Sequence, residues 1–420
     1  MLTASLTQLI WRCCWGDGDE MHDDGVVNAS HRNSYDVIVI GLGAMGSNAL
    51  ASLARRGKRV LGIDRFDPPH SLGSSHGGSR VIRLSYFEHA DYVPLLKHAY
   101  LGFDRLARES GVELRTENGL IMGGAPGNRV CAGMLSSAAK HDLNVEALDG
   151  GELMRRFTQF EVPRDWEAVF EARGGFVRPE ATIRAALDVA RQHGANILIN
   201  TSVASWTSDG ARVTVNCADE SFAADSLVLS SGAWMPQLLG RDAPELRPTL
   251  ETIVWIDDEN DPNWDASRMP VWLFERGGMP EIYGVPAWSG MGSPRGLKIG
   301  LHGRGPTVDP MHSQRAVDQR IMEETLDAAA VHVRGARSRA VTACAHCLYT
   351  MSADTDFVVG LHPSHANIAV ACGFSGHGFK FAPVIGEALA DLALQRSTAL
   401  PIGFLAPTRA DAAWTSRGTP

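Results

Sequence analysis

The stretch SYDVIVIGLGAMGSNALASLARRGKRVLGID, residues 34–64, predicts a strand, a glycine-rich turn, a helix and a second strand in direct succession. Tyr35–Ile40 and Arg59–Ile63 are short apolar runs rich in β-branched residues, which favour strands. Asn48–Arg56, between them, has the small and helix-forming residues of a packed helix. This order predicts a βαβ unit, the building block of an α/β sheet.

The turn of this unit has the spacing G-x-G-x-x-G at Gly41, Gly43 and Gly46. In that pattern the first two glycines allow a tight turn and close approach of a pyrophosphate, and the third lets the helix pack on the strand. The helix N-terminus offers unpaired N–H groups to phosphate. Asp64 follows the second strand, where its carboxylate can accept hydrogen bonds from ribose hydroxyls. The unit therefore predicts a dinucleotide-binding site.

Composition limits the remaining possibilities. The chain has 420 residues, which is too long for one simple core and suits two domains. Its formal net charge of −9, without a block of Lys and Arg, argues against nucleic acid as the main partner. No apolar run approaches the length that spans a bilayer. The seven cysteines are scattered without a disulfide framework, which predicts a reducing compartment and a cytoplasmic location.

The later segments predict how the domains are organised. Strand-like segments at 196–200, 203–207 and 212–217 indicate an antiparallel meander, an insertion more typical of a flavoprotein than of a nicotinamide dehydrogenase. We predict an α/β (α+β) fold, in which a Rossmann-like domain is interleaved with a substrate domain built on a mixed or antiparallel sheet. The predicted segments are 34–90, 175–248 and 338–400 for the dinucleotide domain, 91–174 and 249–337 for the substrate domain, 1–33 for a disordered leader and 401–420 for a C-terminal tail.

A second glycine-rich stretch, Gly373–Phe381, places three glycines, His377 and Lys380 between a strand-like and a helix-like segment. A plain glycine turn is one reading of it. Close approach of the backbone to a bound ligand accounts better for the two ionisable side chains among the glycines.

Five motifs together resemble one family. They are GSSHGGSRVIR at 73–83, YGVP at 283–286, GLKIGLH at 296–302, CLYT at 347–350 and the stretch 373–381. In this order and spacing the chain is similar to the monomeric sarcosine oxidase and N-methyltryptophan oxidase family of flavin amine oxidases, from about Ser34 to about Arg396. The resemblance implies that the dinucleotide is FAD. One departure is Gly78-Ser79, where the common form of the first motif has Asp-Thr.

The resemblance implies roles for the residues around the flavin. Cys347 corresponds to the cysteine that holds FAD covalently, and Lys298 to a lysine on the opposite face of the flavin, where its charge assists the reaction with O₂. Arg80 is expected near the same ring. Taken alone, Cys347 reads as a small buried apolar residue, or with Cys344 and His346 as a redox pair or half a zinc site. No second pair with ligand spacing is evident, so we predict no metal.

The substrate residues are also implied by the resemblance. Arg83 and Lys380 correspond to the cations that hold the substrate carboxylate, although each alone could be a surface charge. Tyr283 and His302 correspond to residues that line the amine pocket, with His377 and Tyr349 as further pocket residues. The full set predicted to contact the cofactor is Gly41, Gly43, Gly46, Asp64, Ser74, Ser75, His76, Arg80, Cys347, Gly376, Gly378 and Lys380.

The implied function is oxidation of sarcosine or another N-methyl amino acid to an imine, which hydrolyses to an aldehyde and a primary amino acid while O₂ becomes H₂O₂. A pipecolate or fructosyl-amino-acid oxidase of the same fold is the alternative within the class. An NAD-dependent dehydrogenase would explain the first glycine turn but neither Cys347 nor the 373–381 stretch, and a non-catalytic flavin-binding protein would not need Lys298, Arg83 and Lys380. We expect a monomer whose partners are its small substrate and O₂.

Overall fold

The computed structural model describes residues 34–240, 243–257, 262–290, 293–312 and 317–414, so the predicted leader 1–33 lies outside the described residues. The helices are α1 Ala44–Arg55, α2 Tyr92–Ser110, α3 Arg129–His141, α4 Gly150–Arg156, α5 Pro179–Gln192, α6 Met235–Leu239, α7 Gln319–His332 and α8 Ala382–Gln395. The strands are β1 Ser34–Ile40, β2 Val60–Ile63, β3 Arg80–Ile82, β4 Arg115–Thr116, β5 Leu120–Gly124, β6 Glu146–Asp149, β7 Glu167–Glu171, β8 Gly175–Val177, β9 Asn196–Leu198, β10 Val203–Ser208, β11 Val213–Cys217, β12 Ser221–Leu229, β13 Leu246–Asp257, β14 Val271–Arg276, β15 Met279–Val285, β16 Leu297–Leu301, β17 Ala340–Ser352, β18 Val358–His362 and β19 His365–Cys372. Within the described ranges, no helix combines the length and apolar character needed to cross a membrane.

The first sheet is built on the predicted βαβ unit. Its parallel core runs β9-β2-β1-β12, with β19 parallel to the end of β12 and β18 antiparallel to β19. The β10–β11 hairpin pairs with the start of β12 and forms the predicted meander. Alternate residues of β1 point to opposite faces, so Val37 and Val39 pack under α1, α2, α5 and α8 while Ile38 and Ile40 enter a second core.

The second sheet has eight strands in the order β17-β13-β16-β15-β14-β5-β7-β6. All of its pairs are antiparallel except β14 with β5. Its core packs around the fully buried rings of Trp272, Phe274 and Phe160, with α7 on the same side. A third, small antiparallel sheet has the strand order β3-β8-β4. The predicted fold class is confirmed: a parallel Rossmann-like sheet is interleaved with a mostly antiparallel one.

The predicted domain segments remain a prediction, and the sheets divide the chain differently at two places. The helix α2, predicted in the substrate domain, packs into the core of the first sheet against α5 and α8. The strand β17, predicted in the dinucleotide domain, pairs along its whole length with β13 of the second sheet. The predicted tail also packs: Leu405 is fully buried, and Arg409 forms two hydrogen bonds with the carboxylate of Asp354 at 2.8 and 2.9 Å.

Candidate active site

A cavity of about 360 Å³ lies where the glycine turn of the first sheet meets a face of the second sheet. Most of the residues selected from the sequence line it. They are Gly41, Gly43, Asp64, Ser74, Ser75, Arg80, Arg83, Tyr283, Lys298, His302, Cys347, Tyr349, Gly376, His377, Gly378 and Lys380. Two of the selected residues, Gly46 and His76, do not border the cavity although the structure describes them.

The three glycines of the turn differ in what surrounds them. Gly41 has φ +86°, and a Cβ there would lie 2.7 Å from the Cα of Ser231. A Cβ on Gly46 would lie 1.8 Å from the carbonyl oxygen of Gly41. At Gly43 the nearest atom to such a Cβ is 4.0 Å away, in the side chain of Ser75, so space remains in front of it. The first and third glycines are required by the protein's own backbone, whereas the second leaves room for a ligand.

The same turn offers hydrogen-bond donors to an anion. Gly43 caps α1 without a side-chain hydrogen bond, and Ala44 and Met45 of the first turn line the cavity. The first amides of a helix have no partner within the helix and attract phosphate. The open space in front of Gly43, beside a helix N-terminus without a side-chain cap, fits the pyrophosphate of a dinucleotide such as FAD.

Asp64 holds the turn in place. Its Oδ2 accepts a hydrogen bond from the amide of Leu42 at 2.7 Å, and its Oδ1 accepts one from the amide of Phe66 at 2.8 Å. Burial raises the pKa of this carboxyl, although the two amide bonds oppose the shift. Because each carboxylate oxygen has a second lone pair, Asp64 can still accept bonds from ribose hydroxyls.

Lys298 lies on β16 with only 3% of its surface exposed. Its Nζ donates hydrogen bonds to the carbonyl oxygens of Gly77 at 3.1 Å and Ser79 at 2.7 Å. Burial, and then the charge of Arg80, holds the pKa of Lys298 well below its usual range. Arg80 itself donates to the carbonyls of Ser79 and Ser74, both at 2.8 Å. The 73–80 loop is therefore tied to two cations at the cavity wall.

The departure at Gly78 has a steric explanation. Gly78 has φ +74°, and a Cβ there would lie 2.8 Å from the Cα of Ser293. A side chain in this left-handed conformation is strained, and here it would also meet backbone. Glycine is thus the residue that this loop accepts at the position.

Cys347 lies on β17 opposite Glu251, with 3% of its surface exposed. Burial raises the pKa of its thiol, while the Arg80 charge lowers it. Cys344 is three residues away on the same strand, so its side chain points to the other face of the sheet and into a different core. The alternative of a redox pair or half a zinc site formed by these two thiols is therefore wrong.

Three ring side chains form one wall of the cavity. The hydroxyl of Tyr349 lies 3.2 Å from Nδ1 of His302. A Cβ on Gly376 would lie 2.2 Å from the Tyr349 ring, and one on Gly300 would lie 2.7 Å from the Tyr283 hydroxyl. Burial raises the pKa of both phenols, so both stay neutral at ordinary pH. Because Gly376 and Gly300 lack a Cβ, they leave the space that the Tyr349 and Tyr283 rings occupy.

Arg83 already has a carboxylate partner. Its guanidinium donates to both oxygens of Glu88, at 2.6 and 2.7 Å, and to the carbonyl of Ser85 at 2.9 Å. It also lies 4.2 Å from the ring centre of Tyr86 and 4.6 Å from that of Phe87. Burial alone would raise the pKa of Glu88, but Arg83, then His377 and Lys380, lower it to about 2.

Lys380 also lies close to the Tyr86 ring. Its Nζ is 5.2 Å from the ring centre and donates to the carbonyl of His377 at 2.6 Å. Burial, and then the charge of Arg83, lowers the pKa of Lys380 to about 7. Two buried cations thus approach one ring from the cavity side.

His377 has a defined tautomer. Its Nε2 lies 3.1 Å from the carbonyl oxygen of Thr355, which can only accept, so Nε2 carries the hydrogen. Its Nδ1 therefore accepts from the hydroxyl of Tyr86 at 2.5 Å. Burial lowers the pKa of His377 to about 3, so the ring is neutral.

Sequence reasoning missed four residues that support this site: Tyr86, Glu88, Glu171 and Glu180. Glu171 accepts from the amides of Leu84 and Ser85 at 2.7 and 2.8 Å, and Glu180 accepts from the amides of the 77–78 turn. None of the four stands in a motif, and both Glu171 and Glu180 come about 90 to 100 residues after their partners. Of the four, only Glu88 could have been found from the sequence, because it follows Arg83 by five residues.

Known proteins of one family are similar to this chain over most of its length. The chain is 38% identical over 389 residues to the monomeric sarcosine oxidase of Streptomyces avermitilis, covering 90% of this chain and 99% of the relative. It is 34% identical over 377 residues to the N-methyl-L-tryptophan oxidase of Salmonella arizonae, covering 86% of this chain and 95% of the relative. The solved structure of NikD, an unusual amino acid oxidase, has a TM-score of 0.78 at 23% identity and covers 90% of this chain and 98% of its own. The model of the DAO family, described as FAD dependent oxidoreductase, matches residues 36–392. The chain therefore belongs to the DAO family of FAD-dependent oxidoreductases rather than to the nicotinamide dehydrogenases.

Proposed function

We propose that this protein is an FAD-dependent oxidase of secondary amino acids, with sarcosine and other N-methyl amino acids as its first substrate class. The observation that carries the proposal is the pair of buried cations, Arg83 and Lys380, that approach the Tyr86 ring from the cavity. The names of the two relatives described above point to the same substrate class.

The charge balance at these cations favours an acid substrate. Glu88 neutralises one of the two positive charges, and a substrate carboxylate would neutralise the other. Burial already disfavours the ammonium form of Lys380, and a bound carboxylate would restore it. A guanidinium and an ammonium together fix the direction of a carboxylate, which positions the oxidisable carbon.

The neutral phenols of Tyr283 and Tyr349 suit the amine end of such a substrate. Tyr283, Tyr349 and His302 line the same cavity, and the hydroxyl of Tyr349 already pairs with His302. Groups that accept or donate hydrogen bonds without carrying charge would favour the free-base amine, the form that can be oxidised. Bound FAD would supply the oxidising power, taking a hydride equivalent from the carbon next to nitrogen and passing the electrons to O₂, with H₂O₂ as product.

We also propose that FAD is held covalently through Cys347. The thiol is buried at the cavity wall, and the charges of Arg80 and Lys298 act to lower its pKa against burial. A thiolate is the attacking form, and nearby cations promote it. Acid-precipitated wild-type protein should stay yellow, and Cys347→Ser should release the colour. Release of free FAD from a fully flavinylated wild-type pellet would contradict the attachment.

A peroxide assay over a panel of amines tests the function. We expect H₂O₂ from sarcosine or other N-methyl amino acids and much less from their methyl esters. Activity only with pipecolate or fructosyl amino acids would select the alternative of the same fold. We also propose that the protein is a monomer and lies in the cytoplasm. Gel filtration measures the oligomeric state, and cell fractionation measures the location.

A further inference from the structure

The loop at 77–79 is held between two opposite charges. On one side, Oε1 of Glu180 accepts from the amides of Gly77 at 2.7 Å and Gly78 at 3.1 Å. On the other side, the carbonyls of Gly77 and Ser79 accept from Nζ of Lys298. The same peptide segment therefore joins a carboxylate on α5 to an ammonium on β16.

The backbone between these groups has little rigidity of its own. Gly77 and Gly78 have φ +92° and +74°, two consecutive left-handed conformations. Two glycines in series lose much conformational freedom when they are fixed. The amide bonds to Glu180 therefore determine where the two carbonyls point, and these carbonyls fix the ammonium of Lys298.

We propose that Glu180 is a positioning residue for Lys298: its carboxylate orients the 77–79 loop so that the lysine is held in place and charged at the cavity wall. This inference rests on the proposed role of Lys298 in the reaction with O₂. Glu180 touches neither the proposed substrate cations nor Cys347 in any of the bonds described above.

The charges around Lys298 agree with this assignment. Burial and Arg80 lower the pKa of the lysine, whereas Cys347 and Glu180 raise it. Removing the Glu180 charge should therefore shift the loss of the ammonium form to lower pH. A purely structural role for Glu180 would not shift that profile.

The test compares Glu180→Gln with the wild-type holoenzyme in two separate half-reactions. We expect reoxidation of the reduced enzyme by O₂ to slow roughly tenfold, the scale for losing a partner that orients a functional group. Anaerobic reduction by substrate should change by less than about twofold, and the fall of the O₂ rate with pH should move to lower pH. Asp188→Asn is the matched control, since Asp188 is an exposed carboxylate on the same helix, paired with Arg191. It should leave both half-reactions unchanged.

A double mutant separates the possible outcomes. If Glu180 acts through Lys298, adding Glu180→Gln to Lys298→Met should cost no further O₂ rate. An additive loss, an equal loss in both half-reactions, or an unshifted pH profile would overturn the inference. Should Glu180→Gln not fold, Glu180→Asp, which keeps the charge but shortens the side chain, is judged by the O₂ rate and the double mutant and not by the pH profile. If Lys298→Met alone leaves the O₂ reaction intact, the proposed role of Lys298 fails instead, which is a distinguishable result.

Discussion

Replacing Glu88 with Gln removes the charge that balances a buried guanidinium. Arg83 is 2% exposed, and its bonds to both oxygens of Glu88 are the shortest that it makes. The pKa of Glu88 falls from its ordinary 4.5 to about 2 in the folded protein. Because one pKa unit corresponds to ~1.4 kcal/mol, this shift, caused by Arg83, His377 and Lys380 together, corresponds to ~3 kcal/mol of stability at neutral pH. Breaking a buried pair by removing one partner costs a similar ~3–5 kcal/mol.

The sign of the pH dependence follows from the lowered pKa. This contribution is present above about pH 4.5 and is lost as the pH falls towards about 2. We expect Glu88→Gln to lower Tm by roughly 4 °C at neutral pH, given the unfolding entropy of a chain of this length. The difference from wild type should shrink on acidification. Differential scanning fluorimetry across this pH range measures both.

The same variant tests whether Arg83 binds carboxylates. With Glu88 gone, a short acid such as propionate becomes the natural partner of the guanidinium. Propionate should therefore raise Tm more in Glu88→Gln than in wild type. An unchanged Tm in the variant, or equal stabilisation of both proteins by propionate, would refute this account of Arg83.

Three further predictions follow from the site. Lys298→Met should slow reoxidation by O₂ roughly 10²-fold while anaerobic reduction suffers much less, measured by stopped-flow absorbance; equal losses would disprove the assigned role. Since the pKa of Lys380 is about 7 and its ammonium form predominates only below that pH, kcat/KM for acid substrates should fall as pH rises through about 7. Steady-state kinetics of Lys380→Met should lack that limb, and its persistence would exclude Lys380 as the source. Gly46→Ala, whose Cβ would meet the Gly41 carbonyl, should lose at least ~1–3 kcal/mol of stability and retain less FAD. Gly403→Ala, which has open space, is the control, and equal melting of both variants would contradict the steric account.

Local signals in the sequence determined the fold of the nucleotide unit. The predicted runs Tyr35–Ile40 and Asn48–Arg56 correspond to β1 and α1. Periodicity and glycine spacing suffice here because adjacent residues in the chain make the contacts. The left-handed conformations of Gly41, Gly373 and Gly376 likewise match glycine turns visible in the sequence.

The partners of the site residues were decided only by the tertiary structure. Tyr86 bonds to His377 across 291 residues, and Glu180 bonds to Gly77 across 103. The strand β17 joins the second sheet, although the next two strands, β18 and β19, belong to the first. The sequence alone identified the cations and aromatic rings of the candidate site, because the motifs contain these residue types. The partner of Arg83, a substrate or Glu88, was decided by folding, and so was the pKa of Lys380. Both depend on burial and on charges that folding brings together, which no local pattern encodes.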